Sequence, residues 1–277
     1  MLRFFPLLLL SVALGLDADV RLRAVARVPT LVAVGFEYFT TPRGPALASA
    51  HFWDGKAHDM SAASIIYAVS TEPNGNLTLA ELQRFPTKGA HGWDHFVIPG
   101  EFGGAFLVTC NYYGCGSDRG PALGACNSTS VYRYSEPDGL FLLHQTLATA
   151  GPAQTDHIVL RSGDAYVLVG ENFNDEVCTY RYTVPGGRFV KSGCLPVPGA
   201  GAMAIAEAAG FLYLTLASYH HNGWITRSPV FRAQVDDAPL RWTLHQTLHT
   251  AGAHDADSAL IGGVECVKWH PSCTDEL

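Results

Sequence analysis

Three aspartates stand at one offset from a glycine. Gly89 and Asp94, Gly151 and Asp156, and Gly252 and Asp257 are each five residues apart, whereas the fourth such glycine, Gly199, is followed by Ala204. If chain repetition carries them to equivalent places around an axis, three carboxylates converge, and like charges that close are costly unless a cation or a proton intervenes. Hard oxygen ligands clustered in this way suit calcium, so Asp94, Asp156 and Asp257 are the candidate Ca2+ ligands. The plainer expectation is that each accepts backbone N–H bonds inside its own turn. The chain holds 12 histidines, among them His95 and His157 directly after two of the aspartates, and His51, His58, His91, His220, His221 and His254 elsewhere. Adjacent residues of a strand point to opposite faces, so His220 and His221 do not chelate together, and the histidines read as turn and surface residues rather than as transition-metal ligands.

Other chemistry is thinly supported. Glu171 with Asp175 and Asp255 with Asp257 are the carboxylate pairs a glycoside-cleaving enzyme would use, but their spacing alone does not set two acids across a cleft. No Gly-x-Ser-x-Gly elbow, His-Glu-x-x-His pair or Walker loop occurs, and no catalytic residue is assigned. Gly199 to Ala204 spells a degenerate dinucleotide fingerprint without the acid that such a site needs about 20 residues on, which makes it a chance match. Trp53, Trp93, Tyr112, Tyr113 and Trp224 are candidates for an aromatic mouth that binds sugar or peptide, and core packing explains most of them equally well.

The elements that position these residues are read from internal repetition. An aromatic residue in a short alternating strand recurs at Tyr67, Tyr132, Tyr180 and Phe231, at steps of 65, 48 and 51, with Arg following in the last three. Before it comes an apolar run, at 31–36, 107–112, 168–173 and 214–219. After it comes a strand containing Leu82-Gln83, Phe141 to Leu147, Phe189-Val190, or Trp242 to Leu248, with Leu-His-Gln-Thr-Leu duplicated at 143–147 and 244–248. A Gly turn then leads into a fourth strand near His95, His157, Ala202 or Ser258. Four strands per unit with short connections describe an all-β propeller of about four four-stranded blades. A fifth blade is open if residues 20–28 add a strand. The first unit, taken to begin at the 31–36 run, lacks a fourth strand, so the C-terminal strand at Ser258 is expected to close the ring. The 65-residue step holds a Gly- and Cys-rich insertion at 114–125, of the kind that decorates a binding face.

Composition agrees. The 277 residues are 48% hydrophobic and 16% charged, with 28 Gly, 16 Pro and 30 aromatic residues, which fits many short strands joined by tight turns. A net charge of −7 without a basic run argues against nucleic acid as a partner.

The Gln-Thr-Leu strand, the Gly-Ala turns at 89–90 and 252–253, the apolar strands closing in Asn111-Tyr112 and Asn172-Phe173, and the Tyr-Arg strands resemble, in their fixed order over residues 30–262, the epilepsy-associated or epitempin repeat. That repeat occurs in leucine-rich glioma-inactivated proteins and in thrombospondin-type laminin G domain and repeat proteins. The resemblance implies a propeller that works as an interaction surface of the secretory pathway or cell exterior, without catalysis. The resulting expectation is a non-enzymatic module that binds a protein or glycan on one face; a carbohydrate-active enzyme is the alternative.

The chain ends carry processing signals. Residues 1–15 have an early Arg3, an apolar run of about ten residues and small residues at Ala13 and Gly15, the layout of a secretory signal peptide and too short for a membrane span. The propeller is expected over 20–265 and a cysteine-containing tail over 266–277. The tail ends in Thr-Asp-Glu-Leu, similar to an endoplasmic-reticulum retrieval address. Asn76 and Asn127 head glycosylation sequons. Seven cysteines suit an oxidising compartment: Cys178 and Cys194 lie across a hairpin that turns at Gly186-Gly187, Cys266 and Cys273 are placed to close the tail, and the odd count leaves one thiol over. Together these expect a chain that is secreted or held in the endoplasmic reticulum lumen.

Overall fold

The computed structural model describes residues 24–28, 30, 32–54, 60–114, 126–219, 225–235, 237–261 and 264–271. These form four four-stranded antiparallel sheets and one two-stranded sheet, each ordered as in the chain. The first is β1 (Val32–Thr41), β2 (Gly44–Trp53), β3 (Ser61–Thr71) and β4 (Leu77–Lys88). The second is β5 (Ala90–Ile98), β6 (Gly104–Asn111), β7 (Cys126–Ser135) and β8 (Leu140–Thr149). The third is β9 (Pro152–Val159), β10 (Ala165–Glu171), β11 (Glu176–Thr183) and β12 (Arg188–Pro196). The fourth is β13 (Ala200–Ala208), β14 (Phe211–Ser218), β15 (Ile225–Gln234) and β16 (Thr243–Ala251). The last is β17 (Ala253–Ile261) with β18 (Val264–Pro271). The leading strands β1, β5, β9, β13 and β17 pack each against the next, so the sheets are the blades of a β-propeller set around one axis.

Each passage from an outer strand to the next inner strand turns at a glycine. Gly89, Gly151, Gly199 and Gly252 have φ of +60°, +55°, +66° and +56°, a backbone region that a Cβ disfavours. The repeated Tyr-Arg strand is the third of its blade. Its arginine reaches the turn between the first two strands: Arg181 Nη2 lies 2.6 Å from Asp164 Oδ1, and Arg133 donates to the Gly103 carbonyl. The Gln of the outer strand joins blades. Gln83 Nε2 donates to the Phe141 carbonyl at 2.7 Å while the Phe141 N–H donates to Gln83 Oε1 at 2.9 Å, and Gln145 holds Phe189 in the same way at 2.8 and 2.9 Å.

The core lies between blades. Phe39, Ile66 and Phe85 of the first pack on Trp93, Leu107 and Tyr132 of the second; Phe106 and Val131 pack on Val169, Tyr182 and Phe189 of the third; Leu168 and Tyr166 pack on Leu214 and Leu216 of the fourth. Between the fourth and fifth the buried cluster among the described side chains is Ala202, Ala204, Ala217, Ala253 and Ala256.

Three expectations change in detail. The run at 31–36 falls in the inner strand β1, not in a second strand, because the true second strand is the alanine-rich Gly-Pro-Ala-Leu-Ala-Ser-Ala-His-Phe-Trp of β2, whose small residues hid it. The first blade therefore supplies all four of its strands, and the C-terminal strand β17 pairs with β18 in a sheet of its own rather than completing the first. β18 also crosses the expected boundary at 265, which puts Cys266 inside a strand. Cys178 and Cys194 face each other in β11 and β12 and are bonded, with Cα atoms 4.0 Å apart. Cys273, the signal segment, the last four residues and the insertion at 115–125 lie outside the described residues, as do the side chains of Cys266 and Asn127. Asn76 sits exposed in the turn between β3 and β4. Among the described residues no helix is long and apolar enough to cross a membrane.

Phe106 is fully buried and rings of Phe96, Tyr182 and Phe189 surround it at 5.6 Å, whereas Leu143 is 62% exposed. Phe106→Ala is expected to lower unfolding free energy by about 3–5 kcal/mol and Leu143→Ala by no more than about 0.5 kcal/mol, as read by urea denaturation. Equal losses would contradict the interblade core.

Candidate active site in the axial channel

The inner strands share one register with their second strands, and it places equivalent residues at one height on the axis. Asp94 faces Val108, Asp156 faces Leu168, Ala204 faces Thr215 and Asp257 faces Lys268; Glu37 of β1, facing Ala48, holds the same position. Glu37 went unnoticed in the sequence because no turn glycine stands five residues before it; Val32 does. Had β2 been recognised, counting back from Ala48 across the ladder would have found it.

Glu37, Asp94 and Asp156 converge with His157. His157 Nδ1 lies 2.8 Å from Asp94 Oδ1 and 3.9 Å from Asp156 Oδ1, and one ligand atom from each of Asp94, Asp156 and His157 lies within 4.8 Å of the others. The acids also reach across to the next inner strand: the Glu37 carboxylate accepts the His95 N–H, and the Asp156 carboxylate accepts the Ile205 N–H. Asp156 Oδ1 further accepts the His157 N–H at 2.7 Å. Aromatic rings fix the imidazoles, with His157 stacked on Phe96 at 4.8 Å and His95 on Phe39 at 4.4 Å. The Asp94 side chain is 10% exposed, with Oδ2 buried and without a hydrogen-bond partner among the described residues, while His157 and Asp156 keep 32% and 26% exposure, so the cluster is open to solvent on their side.

Burial, with the charges of Asp94 and Asp156 behind it, pushes Glu37 from 4.5 up to about 7. Burial and the neighbouring Asp94 push Asp156 from 3.8 up to about 7. Burial disfavours the charged form of His157, but its hydrogen bond to Asp94 and the charges of Asp94, Asp156 and Glu37 outweigh that and raise it. Two carboxyl groups that hold protons toward neutrality thus sit beside Asp94, whose Oδ1 is hydrogen-bonded to His157, an arrangement suited to paired acid and base catalysis.

Two of the three expected metal ligands meet and the third does not. Asp257 keeps the register position, but its carboxylate is exposed and Oδ1 accepts the N–H of its own neighbour Ser258 at 2.8 Å. Ala204 interrupts the ring of acids between Asp156 and Asp257, so Asp257 has no acid beside it on that blade. His157, expected as a turn or surface residue, belongs to the cluster because the ladder sets it next to Asp94 of the preceding blade. Glu171 and Asp175 serve structure: Glu171 is fully buried and accepts Ala150 N–H and Asn174 Nδ2 at 3.0 Å each, and Asp175 accepts the Gly199 N–H at 2.6 Å.

Of the aromatic candidates, Trp93 is core, meeting Phe85 edge-on and Tyr132 at a tilt, and Trp224 lies outside the described residues. Tyr112 and Tyr113 do form part of a rim at the end of the channel where the inner strands begin. Tyr112 stacks on His91 at 4.8 Å, meets Phe173 at 4.8 Å and donates to Asn172 Oδ1 at 2.8 Å, and Tyr219 meets His254 at 4.9 Å.

No protein-family model and no curated protein matches the chain. Among solved structures it is similar to an exo-beta-1,3-galactanase from Phanerochaete chrysosporium bound to galactose (12% identity, TM-score 0.54, 88% of this chain and 57% of that one). It is similar also to an exo-beta-1,3-galactanase from Clostridium thermocellum (10%, 0.54, 88% and 55%) and to a putative 6-phosphogluconolactonase from Bacteroides fragilis (14%, 0.53, 87% and 64%). The chain spans a little over half the length of these galactanases, and at such identity the likeness is one of fold. The expectation of a non-enzymatic interaction module is corrected by these findings together. A surface that only binds has no need of a tight pair of perturbed carboxyls; the channel holds such a pair, and these propeller neighbours carry names of enzymes.

The raised acids make stability depend on pH with a definite sign. Between about pH 4 and 7 the folded chain keeps protons on Glu37 and Asp156 that the unfolded chain has released, so stability falls as pH rises through that window. The raised His157 acts in the same direction, with its contribution present below its ordinary 6.5 and lost as pH rises through its folded value. The buried histidines His51, His91, His95 and His144, lowered by desolvation, act the other way up to about pH 6.5, so the cluster is read by difference. The Tm of Glu37→Gln relative to wild type is expected to be higher at pH 8 than at pH 5.5; a difference that does not change with pH contradicts the cluster.

Proposed function

We propose that the chain is a carbohydrate-active enzyme that cleaves glycosidic bonds at the Glu37–Asp94–Asp156 cluster. The observation that carries the reading is the meeting of three carboxyl groups on successive inner strands, two of them holding protons to about 7. In this reading Glu37 is the general acid that protonates the leaving oxygen. Asp94, with a buried Oδ2 free of hydrogen bonds among the described residues, is the base or nucleophile, and the His157 imidazole holds its other oxygen in place. Asp156 tunes both through its charge and its proton. The half-exposed rim of Tyr112, Phe173 and Tyr219, whose rings pack on His91, Tyr112 and His254, is the apolar surface a sugar would meet at that end. The galactanases of similar fold make β-linked galactose chains the first substrates to try.

Export belongs to the same proposal, supported by the signal-like residues 1–15 and the Cys178–Cys194 disulfide, which persists in oxidising compartments. The exposed Asn76 suits glycosylation on that route.

Release of reducing sugar from β-1,3-galacto-oligosaccharides and a panel of other glycans is the direct assay. Asp94→Asn is expected to reduce kcat at least about 100-fold while leaving the melting curve cooperative. A wild-type protein inert on every glycan, or a D94N variant of full activity, overturns the reading.

Calcium enters in a narrower form than three aspartates. Asp94 and Asp156 offer oxygens to a hard cation, which takes six to eight of them, and a cation there would relieve their repulsion. Millimolar Ca2+ is then expected to raise Tm in the wild type and not in Asp156→Asn; an unchanged wild-type melt removes calcium from the proposal.

A further inference from the structure

Every inner strand breaks its ladder just ahead of the acids. The pairing shifts between Ala33 and Gly35 in β1, Ala90 and Trp93 in β5, Pro152 and Gln154 in β9, Ala200 and Met203 in β13, and Ala253 and Asp255 in β17. A bulge re-aims the side chains around it, and bulges gather beside functional sites. These bulges put Gly35, Gly92, Gln154, Ala202 and Asp255 in one layer, each two residues before Glu37, Asp94, Asp156, Ala204 or Asp257. Residues two apart share a face of a strand and lie about 6.8 Å from each other. The layer therefore flanks the acids on the side of the Tyr112 rim. The opposite side is filled: Phe39, Phe96, Ile158 and Ala206, two residues beyond the same level, are buried. Gly35, Gly92 and Gln154 keep part of their surface and Asp255 is exposed, so whatever reaches the carboxyls from the rim crosses the bulge layer.

Two neighbouring strands of that layer, β5 and β9, are described from end to end. On β9 the Gln154 carboxamide is held in one orientation, because the Met203 N–H of the next inner strand can only donate and Gln154 Oε1 accepts it at 2.9 Å. The two Nε2 donors are left over, without a partner among the described residues. A half-buried donor is expensive to leave unmade. On β5 the Gly92 carbonyl is pinned by Thr109 Oγ1 at 2.9 Å, and a Cβ added at Gly92 would meet no described atom within 4 Å. The φ of Gly92 lies outside the left-handed region, so the backbone does not call for glycine; the missing side chain leaves room. From this layer to the residue after the acids, the inner strands carry no lysine or arginine. The carboxyls would repel an anionic sugar there with no cation on these strands to offset them.

We infer that the gap between Gly92 and Gln154 receives an uncharged sugar ring beside the bond cleaved at Asp94, with Gln154 Nε2 donating to one hydroxyl oxygen of that ring. This rests on the glycoside-cleaving reading and adds to it the residue that selects the sugar. A site built to hydrogen-bond a hydroxyl rejects the analogue that lacks it, because its own donor is then left unpaired. Gln154 thus reads the hydroxyl, and the space at Gly92 sets the bulk that is admitted.

Calorimetric titration of the full chain at pH 8 with galactose, glucose, mannose and xylose, and with galacturonate as the charged control, reads the site without turnover. At least one neutral sugar is expected to bind, and galacturonate to bind about tenfold more weakly or not at all. Gly92→Val is expected to abolish that binding with Tm unchanged; Gly92→Ala, a smaller step, acts in the same direction should valine disturb the fold. Gln154→Glu keeps the acceptor for the Met203 N–H and loses the donors, and is expected to weaken binding about tenfold while melting cooperatively. The deoxy analogue lacking the hydroxyl that Gln154 reads is expected to show the same loss against wild type and none against Gln154→Glu. Affinity indifferent to either substitution overturns the inference, as do galacturonate bound as tightly as the neutral sugars and the absence of binding by any of them. Binding that responds to both substitutions in a protein that cleaves no glycan supports the sugar site and removes the hydrolysis, so the two failures are told apart.

Discussion

The register between the first and second strand of every blade is the constraint on which the molecule depends. Side chains alternate across a strand with a period of two, so a slip of one residue would send a whole set to the other face. The large apolar residues between successive blades fix the register: Leu107, Leu168 and Leu214 are fully buried, and moving any one to the solvent side would empty the neighbouring interface. Once those ladders are set, Glu37, Asp94 and Asp156 have one height on the axis and no freedom to separate. The apolar contacts between blades therefore hold together carboxyl groups that repel one another, and the strain of that arrangement appears as raised proton affinity at Glu37 and Asp156.

The interfaces are graded around the ring. The first three are aromatic and aliphatic, with clusters such as Phe96, Phe106 and Phe189, whereas the buried side chains described at the fourth are alanines. The reciprocal amide bonds of Gln83 and Gln145 add a directional link between outer strands, and blade three lacks it because Gly193 stands at that position.

Propellers host unrelated activities, and the solved structures of similar fold include galactanases and a putative lactonase. The reaction must be argued from the channel. Three carboxyls with one imidazole and an aromatic rim suit acid and base work on a sugar better than passive adhesion, because a surface that only binds has no need to hold ionisable groups in mutual conflict.

Blade architecture was legible in the chain because each blade repeats the same physical problem: turn glycines need positive φ, outer strands carry Gln-Thr-Leu, third strands carry Tyr-Arg, and these cues recur in order. The Cys178–Cys194 bond was legible for the same reason, since a hairpin with a known turn fixes which residues face each other. Asp94 and Asp156 could be named from their offset to glycine. Their chemistry could not, because it arises from His157 and Glu37 on neighbouring strands, and contact between strands more than 50 residues apart is a property of packing, not of local pattern. Glu37 stayed hidden behind an entry without glycine and a second strand made of alanines. Asp257 carries the same local signature as the other two and yet stands apart. Local pattern was enough to mark the repeating strands and the acids that follow a turn glycine; packing alone settled that Glu37 stands level with them and which of them touch, because desolvation and Coulomb repulsion depend on ångströms of separation that no spacing in the chain specifies.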